Sequence, residues 1–137
     1  MVITRKAEYA IVALVAMARQ YGDEYVSSRQ LAAQAGVPAN LIAQIVAELK
    51  RAGWVDAQRG PNGGIRLAHD PRQITLRHVI ELIDGPLGLT RCLAGKGSCE
   101  GGDSCQLRGI WVEAQSKMLE VLESVSIDDL ARAKLPS

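Results

Sequence analysis

Three cysteines, Cys92, Cys99 and Cys105, are all that the chain contains, and they fall in one stretch with six and then five residues between them. Thiolates at that density could ligate a metal centre or exchange with oxidants. The surrounding residues 85–106 also carry six glycines. A structureless connection of this length needs a reason in a small domain. A metal staple supplies one, with glycines letting backbone N–H groups approach sulfur. The wide spacing suits an iron–sulfur cluster, of the 2Fe–2S or 4Fe–4S type. Zinc sites more often show a tight pair about two to four residues apart. Three thiolates leave a ligand position to fill, and Glu8, His69, His78, Asp103 or a group from a second subunit are the candidates. Each also has a plain reading: Glu8 as a solvated first-turn acid, His69 and Asp103 as turn residues, His78 as a partly buried histidine beside an apolar stripe. A cluster-free thiol sensor and a zinc-stapled protein-interaction module are the two other readings of the cysteines.

A second set of residues could read DNA. Asn40 and Gln44 point away from the apolar stripe of their helix, and each amide can make a two-pronged contact to adenine. Arg59 leads a turn, Gly60-Pro61-Asn62-Gly63-Gly64, whose glycines allow close backbone approach to a minor groove. Ser28, Leu41 and Arg51 complete the candidate DNA contacts together with Gly60, Pro61, Asn62 and Gly63. Ala43 offers the groove only a methyl group. The alternative for these residues is a three-helix core whose hairpin binds protein.

The elements that must position both sets follow from periodicity. Ala7, Ala10, Ile11, Leu14, Met17, Ala18 and Tyr21 predict a helix over 4–21, with Thr4 as its cap. Ser27-Ser28-Arg29-Gln30 is a capping box that opens a short helix, and Gly36 suits the left-handed stop after it. Leu41, Ile42, Ile45, Val46 and Leu49 predict a third helix from Ala39 to Ala52. Residues 54–58 and 65–68 read as two strands joined by the glycine-rich turn. Thr75 starts a fourth helix with Leu76, Val79, Ile80 and Ile83 on one face, and Asp84-Gly85-Pro86 breaks it. A long helix runs from about 107 to 125, and the tail from Ser126 adds one more turn. Helix, short helix, tight turn, helix and hairpin is the order of a winged helix-turn-helix. The fold class is therefore mainly α with a small β-hairpin. Residues 1–84 form the DNA-binding domain, 85–106 the cysteine-rich loop, and 107–137 a dimerisation helix and tail.

The formal net charge of the 137-residue chain is +1, which by itself does not point to nucleic acid. Locally, Lys50, Arg51, Arg59 and Arg66 outnumber Glu48 and Asp56 between residues 38 and 66. That surplus would suit phosphate contacts. No signal peptide or membrane-spanning run is read, so the expected compartment is the cytoplasm, where thiols stay reduced. Gly95-Lys96-Gly97-Ser98 lacks the spacing of a phosphate loop. No nucleophile, base and orienter come together in the pattern, so an enzyme is not expected.

Taken together, these residues resemble the IscR/NsrR family of winged-helix iron–sulfur regulators over nearly the whole chain. Ile3-Thr4-Arg5-Lys6-Ala7-Glu8-Tyr9-Ala10 looks like that family's opening, and Arg59-Gly60-Pro61-Asn62-Gly63-Gly64 like its wing. Thr90-Arg91-Cys92, Gly101-Gly102-Asp103-Ser104-Cys105 and Trp111 look like the cluster segment of its cluster-regulating branch. The resemblance implies a homodimer on a palindromic double-stranded operator, with Cys92, Cys99 and Cys105 as cluster ligands. It implies a repressor responding to cluster supply, redox state or nitric oxide. Two departures stand out. Arg108 occupies the position of that branch's ligand histidine and cannot ligate, because it keeps its charge. The first cysteine gap is one residue longer. In the nitric-oxide-sensing branch an acid on the first helix of the partner subunit completes the cluster, and Glu8 falls at that position.

Leu107, Trp111, Ala114, Met118, Val121 and Val125 follow heptad spacing along about 28 Å of helix. Four helices already serve the core, so a dimer seam is the better use of this stripe. A two-fold dimer would set its reading helices about one DNA turn, or a multiple of it, apart.

Overall fold

The structure, a computed structural model, describes residues 2–20, 24–61, 63–89 and 106–133. Helix α1 (Arg5–Gln20) buries Ala7, Ala10, Ala13, Leu14, Val15 and Met17. Three of those six are alanines, so neighbouring helices can approach its backbone closely. Its first turn is held by Thr4, whose Oγ1 accepts from the Ala7 N–H at 3.2 Å. Helix α2 (Ser28–Ala35) opens on the expected capping box: the Gln30 N–H donates to Ser27 Oγ, and the Ser27 N–H to the Gln30 side chain. It stops at Gly36, whose φ of 70° is the left-handed conformation a C-terminal cap asks of glycine.

Helix α3 (Ala39–Arg51) follows the tight turn and buries Ile42, Ile45 and Leu49. Strands β1 (Val55–Gln58) and β2 (Gly64–Leu67) pair antiparallel, with Val55 opposite Leu67 and Gln58 opposite Gly64. A 3-10 turn at Pro71–Gln73 leads to helix α4 (Leu76–Asp84), which buries Val79 and Ile80. This is the winged-helix order that the sequence predicts, and the helices agree with the periodicity to within a residue or two.

His78 departs from expectation. It is exposed rather than partly buried. Its Nδ1 accepts from the Thr75 N–H at 3.3 Å, while Thr75 Oγ1 accepts from the His78 N–H at 3.2 Å. The imidazole thus takes the place Glu or Gln usually holds in a capping box, which draws it to the helix end and away from the stripe.

Helix α5 (Gln106–Ser124) buries none of its residues. The chain then turns back. Ser126 caps helix α6 (Ile127–Arg132) in a third capping box with Asp129. Those hydrogen bonds from Ser126 hold the Asp129 carboxyl below its ordinary pKa. Ser126 also bridges to Thr75, and the Ile127 N–H donates to Ile74 O at 2.8 Å. Ile127 is fully buried in the core with Leu14, Leu31, Ile45, Leu49 and Ile74. The core therefore takes in a further helix beyond the four expected to fill it. Arg19 closes the far end: its guanidinium donates to the carbonyls of Leu130, Ala131 and Ala133 at 2.9 to 3.1 Å. These are carbonyls that a helix end leaves without internal partners.

Candidate DNA interface and cluster segment

The capped helix α2, the turn at Gly36 and the Ile42–Ile45–Leu49 face together leave the opposite side of α3 open. Asn40, Ala43, Gln44, Ala47, Lys50 and Arg51 are all exposed there. Asn40, Gln44, Ala47 and Arg51 stand at helical spacing and form one stripe. It runs from amide side chains near the start of the helix to a guanidinium at its end. Leu41 is half-buried and packs against the core, so it lies at the margin of this face. Ser28 is exposed in the first turn of α2.

The hairpin extends the same surface. Arg59, Gly60 and Pro61 are exposed at its tip, and Gly63 is half-buried; Asn62 lies outside the described residues. Gly60 has φ 110°, a conformation that only glycine adopts without strain. The exposed face of the hairpin carries Asp56 and Arg66 as a cross-strand pair, with Arg66 Nη2 at 3.7 Å from Asp56 Oδ2. The Arg66 guanidinium also lies over the Tyr25 ring, 4.8 Å from its centroid. Tyr25 is not among the residues expected to touch DNA, and Arg66, counted in the local basic surplus, is engaged with Tyr25 and Asp56. The Tyr25–Arg66 contact joins residues far apart in sequence, so periodicity carried no sign of it.

Glu8 is exposed in the first turn of α1, and no described side chain bonds its carboxylate. Val12, one turn further along the same face, is also exposed. Just before Glu8, both the N–H and the hydroxyl of Thr4 pair with the Asp84 carboxylate, which ties the start of α1 to the end of α4. Lys6 Nζ lies 3.2 Å from Glu48 Oε2, tying α1 to α3 by charge rather than by an aligned hydrogen bond. Cys92, Cys99, Cys105 and Asp103 lie outside the described residues. Among the described residues, no group of three or more His, Cys, Asp or Glu could hold a metal ion. The flanks of the cysteine segment are described. The Leu89 N–H donates to the Gln115 side chain at 3.0 Å, and Gln106 starts α5, so both ends of the segment sit on the same helix.

Arg108 is half-buried near the start of α5. Around it, Leu107, Ile110, Trp111 and Val112 are between 40% and 58% exposed. The apolar surface of α5 is thus densest where the helix leaves the cysteine segment. Among the described residues, no helix is long and apolar enough to cross a membrane.

A helix-turn-helix with an open amide-bearing reading helix and a hairpin wing beside it defines a winged-helix DNA-binding transcriptional regulator. More narrowly, residues 3–133 match the Rrf2 family, described as iron-dependent transcriptional regulators, and the chain belongs to that family. It is 30% identical over 132 residues to the HTH-type transcriptional regulator IscR of Vibrio campbellii, covering 96% of this chain and 78% of that one. Among solved structures it is similar to CymR, the global cysteine regulator of B. subtilis. The TM-score there is 0.81, with 26% identity and 96% of each chain covered. It is also similar to T. potens IscR, with a TM-score of 0.76 and 26% identity over 100% of this chain and 93% of that one.

Proposed function

We propose that this regulator is a homodimer whose operator binding is controlled by an iron–sulfur cluster held by Cys92, Cys99, Cys105 and Glu8 of the partner subunit. The observation that carries the reading is the exposed apolar face of α5, directly after the cysteine segment, in a helix that buries nothing of its own. A surface of that kind is unfavourable in water and suits a second copy of the chain. Glu8 and Val12 form a matching face on α1, an acid beside an exposed valine. Docked on the partner's α5, that face brings the Glu8 carboxylate, which no described side chain bonds, to the end of the helix that follows the cysteine segment. The donor set fits the group: thiolates are the usual ligands of iron–sulfur clusters, and a carboxylate can fill the position that Arg108 cannot. When bound, the cluster supplies redox and ligand-exchange chemistry to which oxidants or nitric oxide respond.

The rest is done by the chain's own residues. In the dimer, Asn40 and Gln44 read base edges in the major groove, and Arg51 and Ser28 contact phosphate. Arg59, with Gly60, Pro61, Asn62 and Gly63, follows the adjacent minor groove. The two α3 helices meet a palindromic operator about one helical turn apart, or a multiple of it. Lys6–Glu48 joins the Glu8 end of α1 to the reading helix and Thr4–Asp84 joins it to α4, so a change at Glu8 reaches α3 through one direct contact. Repression follows when the dimer covers a promoter.

Anaerobic purification, a visible spectrum and assays of iron and sulfide test the reading. A coloured, iron- and sulfide-containing dimer whose operator affinity changes on cluster loss is the expected result. Equal affinity of the loaded and empty forms overturns it. A colourless, iron-free protein that still responds to peroxide returns the cysteines to thiol chemistry, and bound zinc without DNA binding returns them to a structural staple. Glu8→Ala is expected to change cluster content and spectrum without loss of helix content.

A further inference from the structure

A backbone bridge joins strand β2 of the wing to the body at Val26. The Val26 N–H donates to Ile65 O at 2.8 Å and the Ile65 N–H to Val26 O at 2.7 Å, an isolated bridge between β2 and the residue before the α2 cap. Gly64 stands immediately before Ile65. Its φ is +141°, and a Cβ there would fall 2.4 Å from Val26 O, 2.7 Å from Val26 C and 3.2 Å from Ser27 N. All three are backbone atoms, so a side chain at this position must part β2 from the entry to α2. The other two wing glycines meet different demands. Gly60 has positive φ with open space around it. Gly63 would collide with the hairpin's own Gln58 O at 2.1 Å. Gly60 therefore shapes the tip, Gly63 closes the hairpin, and Gly64 seats the hairpin on the body. The Arg66–Tyr25 contact spans the same joint from the side-chain face.

We propose that Gly64 is a positioning residue for DNA recognition, holding the Arg59 wing tip at a fixed place relative to the N-terminus of α2 and the reading helix α3. This rests on the wing reading given under the proposed function. Ser27 and Ser28 sit at the start of α2, and a helix in that place crosses the phosphate backbone beside the reading helix. The bridge at Val26 thus links a phosphate seat directly to a minor-groove reader. Readout at the operator flank depends on this link, although Gly64 itself offers nothing to a base.

The test uses the full chain and a duplex selected from a random library by the wild-type protein. Affinities are compared for that duplex, for one with flanking A·T pairs changed to G·C, and for one with central pairs changed. The wild type is expected to discriminate at both places by about tenfold per changed position. Gly64→Ala is expected to lose flank discrimination to within about twofold while keeping the central preference. Gly60→Ala, which strains the tip but not the joint, keeps more of the flank preference than Gly64→Ala. Arg59→Ala separates the two ideas. If it leaves flank discrimination intact, the wing reading falls. If it abolishes discrimination while Gly64→Ala preserves it, the positioning role falls and the wing reading stands. Parallel loss of flank and central discrimination in Gly64→Ala also overturns the positioning role, because loosened folding would do that. Should Gly64→Ala fail to fold, Tyr25→Ala loosens the same joint without a backbone clash. It is expected to reduce flank discrimination alone, and an unchanged flank preference overturns the proposal.

Discussion

Helices α3 and α5 carry apolar stripes of similar chemistry and meet opposite fates. In α3, Ile42, Ile45 and Leu49 are 3%, 0% and 0% exposed, whereas α5 buries nothing along its 19 residues. The difference lies in neighbours, since α1, α2, β1 and α4 surround α3 while α4 is the main described partner of α5. A stripe alone says that a helix needs a cover. Whether the cover comes from the same chain or another is decided by packing around it.

Breaking that contrast is most direct at its filled end. Leu49→Ala is expected to lower unfolding free energy by about 2–5 kcal/mol, measured by denaturant titration, because it opens a cavity in a closed core. At the open end, Trp111→Glu is expected to leave helix content unchanged by circular dichroism. It should shift sedimentation toward the monomer and reduce operator affinity about 100-fold, since two linked half-site contacts become separate events. An unchanged sedimentation profile would mean that α5 is not the seam. On the exposed side of α3, Gln44→Ala is expected to cost about 1–3 kcal/mol of discrimination at one base pair, with stability unchanged. Ser126→Ala removes the cap that returns the chain from α5 to the body and should cost about 1 kcal/mol of stability. The smallest effect concerns pH. Asp129 has its pKa lowered chiefly by its hydrogen bonds to Ser126, so its contribution is full above the ordinary carboxylate range and fades as pH falls through its folded value. Asp129→Asn should flatten the acid limb of the stability profile, and an unaltered limb would show that α6 does not depend on this charge.

Much of the fold was legible because local rules governed it. The Ser27–Gln30 box, the Gly36 stop and the spacing of Ile42, Ile45 and Leu49 are each set within one or two turns, and the structure agrees with all three. The faces of Asn40, Gln44 and Arg59 were legible for the same reason. What escaped was made by residues far apart in sequence. The Val26–Ile65 bridge, the Thr4–Asp84 pair and the return of Ile127 to the core leave no periodic trace in the chain. His78 was misplaced because its neighbours form an apolar stripe, whereas its own role is set by one hydrogen bond to Thr75.

The docking of α6 has a consequence for how the protein comes into being. Ile127 completes a core that begins at Ala10, and Arg19 waits for carbonyls as late as Ala133. The core of the DNA-binding body is therefore complete only once the chain beyond α5 has been synthesised. A chain halted before α6 lacks the Ile127 side chain in that core and the carbonyls that Arg19 meets. The last piece of the core and the exposed helix α5 thus come from the same end of the chain, so the core closes only after α5 is in place.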